Sequence, residues 1–251
     1  MLAPDQGKPL AALRNRISKR EITPEDLRNN IAATYKGLRI GMAAMGLLLP
    51  FVLGFGGYFW KDLPLQGSMS AYYYTPMRDF FVGVLWAIGA FLYLYKGYKY
   101  WENIFLNIAG LAAILVSIFP MEWKCGAECH PITIHGTFAV VFFVCIAIVC
   151  IFHATYTLCL IDDARLRRRY TYAYRLAGFA MLVAPAIAYV LAVVLRYRET
   201  ENYAVFLVEA VGVWIFSIYW IVKTIEIAST QADIRTVDRA VETRKDGLYK
   251  K

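Results

Sequence analysis

The chain alternates long apolar stretches with short polar segments, and the length of the apolar stretches is its strongest signal. Each stretch holds close to the ~20 largely apolar residues that cross a hydrocarbon core roughly 30 Å thick. Because lipid offers no hydrogen-bond partners, the backbone of such a stretch must satisfy its own polar groups as a helix. The pattern therefore predicts an all-α polytopic membrane protein, built as a bundle of six transmembrane helices. The predicted spans are approximately residues 38–60, 80–98, 103–120, 136–158, 176–195 and 203–223.

Polar segments flank the predicted bundle and define three regions. Residues 1–37 form a cytoplasmic N-terminal tail with a short helix, which is predicted to start at Thr23–Pro24. Thr is a good helix cap, and Pro suits the first helical position. The membrane domain covers 38–225, and residues 226–251 form a cytoplasmic C-terminal helix or tail. The last span is predicted to continue as a helix through 223–244 and so to emerge into the cytoplasm.

Composition and charge support this interpretation and orient the chain. Hydrophobic residues make up 59% of the sequence, whereas soluble domains hold about 45–50%. Of the 27 Lys and Arg residues, 22 lie in the two ends (up to Arg39 and from Lys223), in the link between spans two and three (Lys96 and Lys99) and in the link between spans four and five. By the positive-inside rule both termini are cytoplasmic. The basic clusters then face anionic membrane lipids rather than nucleic acid, and the short loops favour a bacterial inner membrane.

Polar side chains gather in the predicted outer loops, where they would surround a pocket at the mouth of the bundle. If this pocket is catalytic, His135 would act as the general acid or base and Ser70 as the nucleophile. Asp79 would orient the histidine, and Arg78 would hold a phosphate group. Outer loops face water, so polar residues are expected there in any case. The sequence therefore leaves open whether the protein is an enzyme.

Further polar residues are predicted to contact a lipid headgroup in the same pocket: Tyr73, Glu122, His130 and Glu209. The tyrosine also suits an aromatic belt at the membrane surface. Pro131 fits the first position of a helix, so His130 is expected at the cap of that helix. The histidine spacing matches no familiar ligand set, and no metal or other cofactor is assigned. Four roles stay open for the two loop histidines: zinc binding together with Asp79 or Glu122, acid–base chemistry, headgroup binding and plain loop structure.

Glu209 is the acidic residue that lies well inside a predicted span. An ionisable group in this position normally faces the bundle interior or water. It is expected to pair with Arg78 or His135 or to be protonated, and the alternative is a structural hydrogen bond between helices. Together with His135 it would line the route in the alternative interpretation of the protein as a proton or small-solute transporter or channel.

Two cysteines, Cys125 and Cys129, are separated by three residues in the second outer loop. A turn between them would bring their Cα atoms within the ~4.4–6.8 Å that a disulfide requires, on the side of the membrane where disulfides persist. A bond between them is therefore predicted, with a free pair or metal ligands as the alternatives.

Short motifs in the same order give the chain a resemblance to a known family. They are Leu63-Pro64, Ser68-Met69-Ser70, Pro76, Phe80-Phe81, Gly83, Gly89, Phe119-Pro120, His130 and His135. In this order they resemble the damage-regulated autophagy modulator family of six-span membrane proteins, which includes a lipid-remodelling factor for GPI anchors. The family's Ser-Asp pair stands here as Ser70-Ala71. The resemblance implies six helices and a lipid-associated role with a polar site on the outer side. The chain is less similar to the membrane hydrolases related to alkaline ceramidase, because it lacks their HxxxH signature.

Taken together, these patterns predict an integral membrane protein that recognises or modifies a lipid headgroup in an extracytoplasmic pocket. Membrane lipids are its expected partners. A transporter or channel is the first alternative, and a non-catalytic scaffold that acts through its basic tails is the second. The patterns do not specify the substrate or the oligomeric state.

Overall fold

A computed structural model describes residues 23–122, 130, 133–196 and 203–249. Within these residues the secondary structure is helical and contains no strand, which confirms the all-α class. The described α-helices are α1 (Pro24–Phe51), α2 (Gly57–Lys61), α3 (Arg78–Leu94), α4 (Tyr100–Ile118), α5 (Ile134–Ile148), α6 (Ala164–Arg196), α7 (Ala204–Thr230) and α8 (Ala232–Tyr249).

Irregular helical segments connect some of these elements. A π-helix, Val52–Gly56, joins α1 to α2, and a 3-10 helix, Ser70–Tyr74, lies in the first loop (residues 62–77) between α2 and α3. A second π-helix, Val149–His153, and a 3-10 helix, Ala154–Leu160, extend α5. Such segments change the local hydrogen-bond pattern and release backbone carbonyl groups for other partners.

Among the described residues, five helical stretches are long and apolar enough to cross a membrane, as expected for a multi-pass membrane protein. They are Pro24–Lys61, Tyr100–Ile118, Ile134–Leu160, Ala164–Leu191 and Ala204–Thr230. The remaining predicted span corresponds to α3, whose 17 residues give a length of roughly 26 Å. This is somewhat less than the roughly 30 Å hydrocarbon core. A sixth crossing, the cytoplasmic termini and the positive-inside orientation therefore stay predictions.

The chain divides into two compact units, of which the smaller holds Met1–Thr34 and Asp233–Lys251. In its described part, the backbone N–H of Asp26 donates to Thr23 Oγ1 at 3.1 Å, and the Asp26 carboxylate accepts from the Thr23 N–H at 3.1 Å. This reciprocal pair is a capping box, and it confirms the predicted helix start. Arg28 on α1 and Asp238 on α8 form an ion pair at 3.2 Å.

The larger unit, Tyr35–Ala232, contains the apolar helices. Helices α3 and α4 pack closely where Gly89 faces Gly110, because a Cβ atom on Gly89 would lie 2.6 Å from the Gly110 carbonyl oxygen. Large side chains such as Met42 and Trp220 fill the centre. Other apolar side chains face outward, and Trp60 is 71% exposed, as expected for a surface in contact with lipid.

The end of α7 differs from the predicted continuous helix. Gln231 has a φ of 52°, in the left-handed region, and it separates α7 from α8. A left-handed residue ends the run of helical hydrogen bonds, so the predicted helix through 223–244 is wrong at this point. The charged side chains of Lys223 and Glu226 are buried inside the larger unit, although they were expected in a helix emerging from the membrane.

Candidate functional site

Ser70 and His135 lie far apart in the sequence and meet in the folded chain. Ser70 begins the 3-10 helix in the first loop, and His135 lies in the first turn of α5. Ser70 Oγ is 2.8 Å from His135 Nε2. The histidine is 7% exposed, while the serine is only half-buried. The structure thus brings together the two residues that were predicted as nucleophile and base.

The other ring nitrogen of His135 determines which way a proton can move. His135 Nδ1 lies 2.8 Å from the Phe119 carbonyl oxygen and 3.0 Å from that of Val116, both at the end of α4. Carbonyl oxygens only accept hydrogen bonds, so Nδ1 carries the hydrogen. In the neutral ring Nε2 then holds a lone pair and accepts the bond from the Ser70 hydroxyl. This is the arrangement that a general base needs to activate a serine.

The backbone at the start of α5 places His135 in this position. Thr133 is the N-cap of the helix, and its side chain accepts a hydrogen bond from the Gly136 N–H at 3.0 Å. The expected cap at His130 is therefore wrong, because the helix begins at Ile134. The capped start aligns the first turn of α5 beside the last turn of α4, where the two carbonyl oxygens lie.

Asp79, which was predicted to orient the histidine, lies exposed in the first turn of α3. The atoms that contact His135 Nδ1 are the two backbone carbonyl oxygens. These contacts hold the ring and its tautomer without a carboxylate. A role for Asp79 in the chemistry stays a prediction.

Glu209 on α7 holds the first loop from the opposite side. Its carboxylate accepts hydrogen bonds from Ser68 Oγ at 2.9 Å and from the Met69 N–H at 2.6 Å. Ser68 Oγ in turn accepts from the Ser70 N–H at 3.1 Å. The expected pairing of Glu209 with Arg78 or His135 is therefore wrong, since its partners are groups of the loop. The carboxylate acts as an anchor that positions the Ser70 backbone.

Replacement of Glu209 by alanine is expected to destabilise the protein by about 1–3 kcal/mol. The change leaves the Ser68 hydroxyl and the Met69 N–H without their acceptor, and an unsatisfied buried donor costs about that amount. Thermal unfolding in detergent measures the loss. Glu209→Gln keeps one acceptor oxygen and is the matched control, with a smaller expected loss. Equal stability of Glu209→Ala and the natural chain would show that the anchor contributes nothing.

A cavity of about 100 Å³ lies next to Ser70. Ser70 and Glu209 are polar residues in its lining, and the other lining side chains are apolar. They come from α1, the first loop, α3, α4, α5 and α7: Leu49, Met69, Phe81, Leu85, Ala113, Val116, Ala139, Phe142, Phe143 and Val213. A cavity with such walls favours an apolar group, which would lie beside Ser70.

The remaining predicted headgroup contacts form two exposed pairs. Arg78 donates to the Tyr73 hydroxyl at 2.7 Å, and its guanidinium carbon lies 4.3 Å from the centre of the Tyr73 ring. The Glu122 carboxylate accepts from the His130 N–H at 2.6 Å and lies 2.7 Å from His130 Nδ1. Tyr73 belongs to the same 3-10 helix as Ser70, so this pair is close along the chain to the serine.

Cys125 and Cys129, the predicted disulfide, lie outside the described residues. In the described part of the chain, His, Cys, Asp and Glu side chains form no group of three that could hold a metal ion.

A second polar cluster lies buried in the larger unit, and the sequence did not predict it. The Lys223 ammonium donates to the Ala154 carbonyl at 2.9 Å, to Thr157 Oγ1 at 2.7 Å and to Glu226 Oε2 at 2.8 Å. Thr157 Oγ1 and the Tyr174 hydroxyl also lie 3.1 Å from Glu226 Oε2. The irregular helix after α5 supplies the Ala154 carbonyl and the threonine.

Two more charged residues are buried in the same unit. Arg39 donates to the Tyr95 hydroxyl at 3.3 Å, and Glu102 accepts from the Tyr98 N–H at 2.8 Å. The only sequence signal for these residues is that each lies at or near the end of an apolar stretch. A long charged side chain in that position usually extends to the membrane surface. The sequence alone therefore does not show that the side chains of Arg39 and Glu102 are buried.

No protein-family model, curated protein or solved structure matches this chain.

Proposed function

We propose that the protein is a membrane-embedded lipid-modifying enzyme that uses Ser70 as nucleophile and His135 as general base. One observation carries the proposal: Ser70 lines an apolar cavity, and its Oγ lies 2.8 Å from His135 Nε2. The contacts of Nδ1 with two carbonyl oxygens give the ring the tautomer that this role requires.

The proposed reaction is the cleavage of an ester. Ser70 Oγ attacks the carbonyl carbon while its proton passes to His135 Nε2. The ester C–O bond then breaks, and the leaving alcohol takes the proton from Nε2, which leaves an acyl group on Ser70. Water attacks this acyl-serine, gives a proton to Nε2 and releases a carboxylic acid, and the returned proton restores the Ser70 hydroxyl.

Several features support a lipid as the substrate. The site belongs to a unit that contains several helices long and apolar enough to cross a membrane, so its surface is suited to contact with lipid. The cavity walls are largely apolar, and the exposed Arg78 guanidinium beside Tyr73 suits a headgroup phosphate. The proposal places this site on the extracytoplasmic side of a bacterial inner membrane, and it extends the resemblance to the damage-regulated autophagy modulator family.

The packing between the site around Ser70 and the buried cluster around Lys223 supports an enzyme over a transporter. A proton or solute would have to pass between Glu209 and Lys223 on α7, where the buried side chains include Phe216 and Trp220. In this stretch the Ser217 hydroxyl donates to the Val213 carbonyl of its own helix at 3.1 Å. A scaffold role does not need a serine and a histidine in this geometry, and it is the outcome if the chemistry is not found.

Labelling with a fluorophosphonate probe tests the proposal. The probe reacts with an activated serine, forms a bond between Oγ and phosphorus and releases fluoride. We expect stoichiometric labelling of the detergent-solubilised protein at Ser70, identified by peptide mass spectrometry. Labelling should be lost in Ser70→Ala and strongly reduced in His135→Ala, because the serine then lacks its base.

Ser217→Ala is the matched control for this experiment. It removes a buried hydroxyl from the same unit at a position outside the cavity lining, and it should leave the labelling unchanged. An unlabelled natural protein that is well folded, as judged by its thermal transition, would overturn the proposed nucleophile.

A further inference from the structure

We infer that the cavity beside Ser70 binds the acyl part of the substrate and limits it to about four carbon atoms. The substrate class is then a short-chain acyl ester carried by the headgroup of a membrane lipid. This inference rests on the proposed function, because it states where the acyl part and the alcohol part of the ester lie when Ser70 attacks the carbonyl carbon.

The chemistry of the cavity determines which side of the ester enters it. Attack by Ser70 Oγ requires the carbonyl carbon at the cavity edge, with the acyl chain and the alcohol on opposite sides. The apolar walls, such as Leu85, Phe142 and Val213, suit the hydrocarbon of the acyl group. The alcohol then lies towards the exposed pair of Tyr73 and Arg78, which suits a polar headgroup.

The size of the cavity limits the length of the acyl chain. An apolar cavity of about 150 Å³ accommodates a benzene molecule, which has six carbon atoms. In proportion, the 100 Å³ beside Ser70 accommodates on the order of four carbon atoms. An acetyl to butyryl group therefore fits between these walls, whereas a long fatty acyl chain would have to extend beyond them.

Side chains that face the cavity from α5 control this limit. Phe142 is half-buried and contacts Phe143 and Phe216 through its ring. A smaller side chain here would enlarge the cavity at its aromatic wall. Ala139 lies one turn earlier on α5 and also lines the cavity, so a larger side chain there would fill it.

Hydrolysis of this substrate follows the same two steps, acyl transfer to Ser70 and then attack by water. The acyl carbon forms its bond to Ser70 Oγ as the bond to the headgroup oxygen breaks. The headgroup leaves as an alcohol with the proton from His135 Nε2, and water completes the hydrolysis. The products are a short carboxylic acid and the free hydroxyl of the lipid headgroup.

Hydrolysis of p-nitrophenyl esters by the full-length protein in detergent tests the inference. We expect kcat/KM to be highest for acetyl or butyryl esters and at least tenfold lower for the octanoyl and dodecanoyl esters. In Phe142→Leu, kcat/KM for the octanoyl ester should rise relative to kcat/KM for the butyryl ester. In Ala139→Leu, kcat/KM for the butyryl ester should fall at least tenfold relative to kcat/KM for the acetyl ester.

Phe105→Ala is the control, because Phe105 is a half-buried phenylalanine of the same unit that stacks on His153 and lies outside the cavity lining. It should not change the ratio between chain lengths. Equal or faster cleavage of the dodecanoyl ester by a protein that the fluorophosphonate still labels would overturn the chain limit and leave the proposed nucleophile intact. The absence of both labelling and hydrolysis would overturn the two together.

Discussion

His135→Ala and Ser70→Ala are each expected to lower kcat/KM for a short-chain ester by at least about 10²–10⁴-fold. General acid–base catalysis contributes about this factor, and the serine cannot form the acyl intermediate once its hydroxyl is removed. The geometry behind this expectation is the 2.8 Å contact between Ser70 Oγ and His135 Nε2. The measurement is the rate of p-nitrophenol release by equal amounts of folded protein.

The double variant distinguishes catalysis from a structural hydrogen bond. Residues that act as one catalytic unit are strongly non-additive, so Ser70→Ala combined with His135→Ala should be no slower than either single variant. Ser217→Ala should retain full activity. If the single variants lower the melting temperature while the specific activity of the folded fraction stays unchanged, the contact only fastens the first loop to α5, and the enzymatic proposal is wrong.

Lys223→Met is expected to destabilise the protein by about 3–5 kcal/mol. The change leaves the Glu226 carboxylate without its cation in a buried position, and breaking a buried pair in this way costs about that amount. The Glu226 side chain is 0% exposed, and the ammonium that it loses lies at 2.8 Å. Unfolding in detergent, followed by circular dichroism over a denaturant series, measures the change.

Two further variants make this expectation specific to the ion pair. Lys223→Met combined with Glu226→Gln removes both charges and should recover most of the lost stability, because no buried charge is left unpaired. Lys96→Met removes an exposed lysine and should change stability by less than about 1 kcal/mol. Equal stability of Lys223→Met and Lys96→Met would show that the buried pair does not contribute to the stability of the protein.

The sequence indicated which residues belong to the site around Ser70, but not which of them are in contact. Ser70 and His135 were predicted as site residues because they are polar groups in the predicted outer loops, and Glu209 because it is an acid inside a predicted span. Their partners were not predictable, since Ser70 and His135 are 65 positions apart and no local pattern specifies that contact. Glu209 illustrates the same limit, because the loop groups of Ser68 and Met69 replaced the partners expected from charge alone.

Local chemistry explains the helices that were predicted well and those that were not. The start of α1 follows from Thr23 and Asp26, which are close in sequence and bond to each other. The end of α7 depends on the left-handed backbone of Gln231, a residue type with no marked preference for that conformation. The charges of Lys223 and Glu226 suggested a surface helix, but side chains from two other helical segments compensate them inside the bundle.

The sequence by itself determined that the protein is helical and suited to a membrane. The reason is that a long apolar stretch can satisfy its backbone only within itself, so length and hydrophobicity suffice. The tertiary structure alone decided that Ser70 meets His135, that the ring nitrogens have defined partners, and that the neighbouring charges of Lys223 and Glu226 are buried. Each of these features requires different helical segments to pack against one another. Only this packing brings their donors and acceptors within hydrogen-bond distance and removes the charged side chains from solvent.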